Sequence, residues 1–181
     1  ISTILDFQFT FTVAHFLDGP DIGRHFALVF TITNWVSLLV QLFLTGFIMT
    51  RFGVAVALLV LPFTVALGSS AFLLFPVLWA GSLLNTADNG FSYSINQSAK
   101  EALYVPTTAA EKYRAKAFID MFIQRFAKAV AVLISLGITF AFTDFSSLRY
   151  LGIITLVLLV VWVIAARYAG REFSRMETGD A

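Results

Sequence analysis

Long apolar runs alternate with short polar or Gly/Pro-marked breaks along the whole chain, and a spanning helix needs about 20 mostly apolar residues. On that ruler the chain divides into six segments at about 1–17, 24–50, 54–75, 77–103, 110–142 and 148–168, followed by a polar tail at 169–181. Gly19-Pro20-Asp21 breaks the first from the second, and Arg51-Phe52-Gly53 separates the second from the third. Pro62 is expected to kink the third, Pro76 to open the turn after it, and Tyr104-Val105-Pro106 to end the fourth. The sixth carries the cleanest run, TLVLLVVWVIAA. The expected fold is all-α: a polytopic bundle of six transmembrane helices.

Polar positions fall in stripes. In the second segment Thr31, Asn34, Ser37, Gln41 and Thr45 recur every three or four residues, which places them on one helix face. Hydrogen bonding between helices is the plainer reading of that face, and a cavity lining the functional one. In the fourth segment Asn85, Asn89, Ser92, Asn96 and Lys100 follow the same spacing, flanked by Asp88 and Glu101. In the fifth, Lys116, Asp120, Gln124 and Lys128 recur every four residues, with Arg125 beside them. A charge at mid-bilayer costs about 2.5–3.5 kcal/mol on insertion scales, so it persists where it is paired, solvated or used.

Two such faces on antiparallel helices can look into one aqueous space. Asp88 lies about 22 Å of helix before Leu103, and Lys128 a similar distance into the fifth segment. The expectation is therefore an Asp88–Lys128 pair, with Asp120–Arg125 beside it, gating a cavity. Asp88, Glu101 and Asp120 would form the charge network. Lys100, Lys116, Arg125 and Lys128 would line an anionic path, since Lys and Arg bind phosphate or carboxylate through charge-assisted hydrogen bonds. Asn89, Asn96 and Gln124 would add amide contacts. The competing reading is that these charges simply fasten the bundle.

Composition supports the membrane assignment: 59% of residues are hydrophobic and 13% charged, against roughly 25% charged in a soluble domain; mean hydropathy is +0.85. A net charge of +1 gives no basic nucleic-acid surface, and the absence of cysteine removes thiolate chemistry. No Gly-x-Ser-x-Gly elbow, Walker loop or His-Glu-x-x-His site is present, so neither an enzyme, a catalytic residue, a cofactor nor a metal is expected. His15 and His25 flank the first turn as interfacial residues. If the start of the first segment is cytoplasmic, that side holds Arg51, Lys100, Lys112, Arg114, Lys116, Arg167, Arg171 and Arg175, against Arg24 and Arg149 opposite. The positive-inside rule then makes the C-terminus cytoplasmic. The tail arginines, at four-residue spacing, read as a juxtamembrane anchor touching anionic lipid.

Two stretches carry a resemblance. GFIMTRFG, with Gly46, Arg51 and Gly53, reproduces the spacing of the Gly-x-x-x-Asp-Arg-x-Gly loop of major facilitator transporters, Thr50 standing at the Asp position. KEALYVPTTAAEKYRAKAFIDMFIQRFAKA resembles the ATP/ADP translocase family of intracellular bacteria and plastids. Lys100, Glu101, Tyr104 and Pro106 match its Lys-Glu-Met-x-Tyr-Ile-Pro stretch. Lys116, Asp120, Arg125 and Lys128 match the next helix. Gln97-Ser98 and Ala127 depart from the family's Asn-Pro and Gly.

The resemblance implies a major-facilitator-like fold of two six-helix halves, of which this chain resembles the second. It also implies nucleotide exchange, with basic residues such as Lys100, Lys116, Arg125 and Lys128 on the phosphates. The chain begins inside an apolar run at Ile1 and reads as a piece of a longer protein. Its expected partners are the lipid bilayer, an anionic nucleotide-like small molecule, and a missing N-terminal half, a second copy or a host membrane complex. The expected location is a bacterial inner membrane or an organelle envelope. The alternative is a non-transporting accessory subunit of a larger membrane complex.

Overall fold

A computed structural model describes residues 1–141 and 147–178. The last position of the fifth predicted segment, residue 142, and residues 179–181 of the tail lie outside the described residues. Among the described residues, the backbone is helical throughout apart from short connections. The helices are α1 (Ser2–Phe16), α2 (Pro20–Leu39), α3 (Gly46–Leu74), α4 (Leu78–Phe91), α5 (Gln97–Ala102), α6 (Ala109–Phe118), α7 (Gln124–Ala141) and α8 (Ser147–Thr178). Wider π-helical turns at Val40–Thr45, Ser92–Asn96 and Ile119–Ile123 join α2 to α3, α4 to α5 and α6 to α7.

Three helical runs among the described residues are long and apolar enough to cross a membrane: Pro20–Leu74, Ala110–Ala141 and Leu148–Met176. The first has 55 residues, about 80 Å at 1.5 Å per residue, far beyond a hydrocarbon core of about 30 Å. It is broken at Gly53, whose φ of 81° and ψ of 171° are non-helical. A side chain at that φ meets steric penalty that glycine escapes. Pro62, expected to kink the helix, lies within helical backbone, so the interruption falls on the glycine. The far end of α8 continues as helix through the polar tail to Thr178.

Neighbouring helices run antiparallel. Ala55 meets Gly170 and Leu73 meets Gly152 across α3 and α8, while Gly68 meets Leu84 and Phe72 meets Gly81 across α3 and α4. Small residues permit these approaches, and van der Waals packing replaces the hydrophobic effect between helices in lipid. The main core joins Ile4 and Leu5 of α1 to Leu61, Val65, Phe72, Leu84, Leu148, Leu151 and Leu159. A second cluster joins Ala57 and Leu58 to Ile95, Ala99 and Ala166. Large apolar side chains such as Phe43, Phe63, Leu74 and Val160 point outward, as expected of a surface facing lipid.

Helix α7 differs from the rest. Every residue from 117 to 130 is exposed, and burial begins at Ala131 and Ser135. Phe118, Phe122 and Phe126 stack along one side of this stretch, with ring centroids 5.7 and 6.4 Å apart.

Candidate functional site

The polar line on the α4–α5 run divides into two sites. The π turn at Ser92–Asn96 falls between them, just beyond Asp88, which is level with the start of α1 at Ser2. Residues before the turn face α1. Those after it face α6 and the start of α7.

At the first site, Asp6 of α1 accepts hydrogen bonds from Asn85 Nδ2 at 2.9 Å and Asn89 Nδ2 at 3.5 Å. Ser2 donates to Asp88 Oδ1 at 3.2 Å. Asp88 and Asn85 are buried, and Asp88 Oδ2 and Asn85 Oδ1 have no hydrogen-bond partner among the described residues. The expected Asp88–Lys128 pair is therefore corrected: Asp88 is bonded to Ser2 and forms no ion pair with Lys128. Helix α1 packs against both α4 and α7 and keeps them apart, while Lys128 sits on the exposed side of α7. Asp6 was not among the residues expected from the sequence. Its signal was a carboxylate inside an apolar segment, hidden because no stripe accompanies it.

The second site is a cleft of about 660 Å³ between α5, the turn after it, and the α6–α7 run. It is lined by Gln97, Lys100, Glu101, Leu103, Tyr104, Lys116, Ile119, Asp120 and Gln124. Local sequence fixes both walls. Thr108 caps α6 through a reciprocal Thr108–Glu111 capping box, which sets where that helix starts. The π turn at Ile119–Ile123 carries Asp120.

Inside the cleft Lys116 Nζ and Glu101 Oε1 are paired at 2.5 Å, each side chain more than a third exposed. Gln97 Nε2 also donates to Glu101, at 3.5 Å. Gln124 Nε2 donates to Asp120 Oδ1 at 2.9 Å, which replaces the expected Asp120–Arg125 pair. Asp120 acts electrostatically on Lys100 across the cleft, but Lys100 forms no ion pair among the described residues.

Lys100 also lines an inner cavity of about 240 Å³ with Ser2, Ser92 and Asn96. The fold thus gathers Lys100, Lys116, Gln124, Glu101 and Asp120 around one opening, and joins Asn96 to it through Lys100. Asp88 and Asn89 belong to the α1 site instead. Arg125 and Lys128 lie outside both, on the exposed stretch of α7.

The arrangement defines an all-helical membrane protein with a solvent-reachable cleft in which two lysines stand against two carboxylates, and only Lys116 is ion-paired among the described residues. A lysine left without such a partner can take an anionic group through a charge-assisted hydrogen bond.

Residues 73–173 match the family described as TLC ATP/ADP transporter, and the chain belongs to that family. It is similar to ADP,ATP carrier protein 2 of Chlamydia pneumoniae, with 24% identity over 175 residues, covering 84% of this chain and 32% of that protein. ADP,ATP carrier protein 1 of Chlamydia muridarum is 26% identical over 180 residues, covering 85% and 34%. The chloroplastic ADP,ATP carrier protein 1 of Arabidopsis thaliana is 28% identical over 108 residues, covering 59% and 17%. The chain spans about a third of the length of the bacterial relatives it matches. No solved structure gives a significant match. The matched region contains both walls of the cleft.

Proposed function

We propose that the chain forms one six-helix half of a secondary transporter of the major-facilitator type, carrying an anionic, nucleotide-like substrate by alternating access. The observation that carries this reading is Lys100, which lines the cleft and the smaller polar cavity at once and has no carboxylate paired to it among the described residues. A phosphate in the cleft binds Lys100. It then competes with Glu101 for Lys116, a solvent-screened pair that costs little to open. Asn96 and Gln124 supply neutral donors, and Asn89 stands deeper along the same helix. Glu101 and Asp120 hold the lysines apart when no substrate is bound. Asp88 belongs to the buried network behind the path.

Six crossings, at about 1–17, 24–50, 54–75, 77–103, 110–142 and 148–168, fit the break at Gly53 and the continuity of Leu78–Ala102 across its π turn. The Lys/Arg asymmetry supports a cytoplasmic C-terminus. A site between two halves needs both of them. The exposed stretch 117–130 of the α6–α7 run, with Arg125 and Lys128, is the surface suited to face the rest of the path.

The test is exchange of labelled ATP and ADP by the intact native protein in proteoliposomes. Saturable exchange, weakened when Lys100 is neutralised, supports the proposal. Absence of any nucleotide exchange by the well-folded intact protein overturns it in favour of the accessory-subunit reading.

A further inference from the structure

We propose that the outer groove between α3 and α8 binds an anionic phospholipid, with an acyl chain on its apolar wall and the phosphate on Arg167 and Arg171. Two cavities meet there. One, of about 370 Å³, has an apolar wall that includes Val60, Pro62, Phe63, Ala66 and Val163. The other, of about 550 Å³, is bordered by Arg171, Ser174 and Arg175. Both include Val56, Leu59 and Arg167, so a single surface passes from apolar to cationic.

The sequence explains the polarity. The run TLVLLVVWVIAA of α8 ends at Ala166, and Arg167, Arg171 and Arg175 then repeat every four residues on one helix face. Arg175 is paired with Glu172 at 3.1 Å, whereas Arg167 and Arg171 form no ion pair among the described residues. Gly170 seals the floor: a Cβ there would come within 2.8 Å of Ala55 Cβ, so the two helices touch below the arginines. From Val56 to Ala66 the apolar wall runs roughly 15 Å along α3, away from the charged end.

Charge complementarity selects the occupant. A free phosphate has no use for the apolar wall, and a neutral lipid none for two unpaired guanidiniums. A lipid whose headgroup carries net negative charge, with no cation of its own to offset the phosphate, meets both, at the level where basic residues flank a span. The site lies on a different pair of helices from the proposed substrate cleft and does not depend on it.

The experiment uses the intact native protein in neutral detergent, read by native mass spectrometry and by thermal stability. Phosphatidylglycerol, phosphatidylcholine and inorganic phosphate are added separately. Phosphatidylglycerol is expected to be retained and to raise Tm, with phosphatidylcholine weaker and phosphate without effect. Arg167→Gln with Arg171→Gln is expected to weaken phosphatidylglycerol about thirtyfold, and Val56→Trp to weaken both lipids. Equal retention of the two lipids overturns the proposal, as does unchanged phosphatidylglycerol affinity in the double variant. Stabilisation by inorganic phosphate equal to that by lipid also overturns it. High salt probes the same charge contact on the unmutated protein: phosphatidylglycerol retention must fall, and retention that does not fall contradicts the proposal.

Discussion

The two polar sites on the α4–α5 run lie a few turns apart on one helix, yet they solve the problem of charge in a membrane in opposite ways. At the α1 site the carboxylates Asp6 and Asp88 are held by amides and a hydroxyl, with no Lys or Arg paired to them among the described residues. At the cleft, Glu101 and Asp120 share an open space with Lys100 and Lys116. The first is packed under α1, with Asn85 and Asp88 buried and Asp6 exposed at its edge. The second is open, and its ion pair can change partners at little cost. Closed networks hold helices in register, and open ones exchange ligands.

That contrast can be broken by mutation. The largest effect is expected from Lys100→Glu, which turns the shared cation of the two cavities into an anion. Nucleotide exchange by the intact protein should fall by well over tenfold, while circular dichroism and Tm stay near those of the unmutated protein. Asp6→Ala should do the reverse. It removes the acceptor for the buried Asn85 amide, at a cost of about 1–3 kcal/mol, measurable as a lower Tm in detergent.

Gly53→Ala places a side chain at φ 81° and should destabilise by about 1–2 kcal/mol, again read as Tm. Asp88→Asn is expected to be the mildest. The amide keeps the Ser2 bond and turns an unpartnered oxygen into a donor, so Tm should hold or rise. A clear loss of stability would mean that the carboxylate has a partner that the α1 site does not show.

Much of the helical layout was legible in the chain. Gly53 and the Phe75–Val77 connection fall where Gly and Pro mark the sequence, and α1 and α6 begin within one residue of the predicted starts. The breaks were readable because backbone φ and a missing N–H are local properties. Of the residues that line the cleft, Lys100, Lys116, Asp120 and Gln124 lie on the stripes that helical spacing marks, and Glu101 stands beside one of them.

The pairings were not. Asp88 and Lys128 stand at similar depth, but depth says nothing of which helix lies between them, and α1 does. The π turns at Ser92–Asn96 and Ile119–Ile123 also rotate one part of a stripe against the other, and no residue in them announces it. Likewise Lys128 shares the stripe's spacing and Arg125 stands beside it, yet neither lines the cleft.

The most direct test is the concentration dependence of labelled ATP exchange in proteoliposomes, comparing the intact protein with its Lys100→Ala variant. Loss of a phosphate contact predicts a KM raised about tenfold or more, with protein incorporation unchanged. An identical KM and maximal rate in the two proteins would contradict the assignment of the cleft as the nucleotide path.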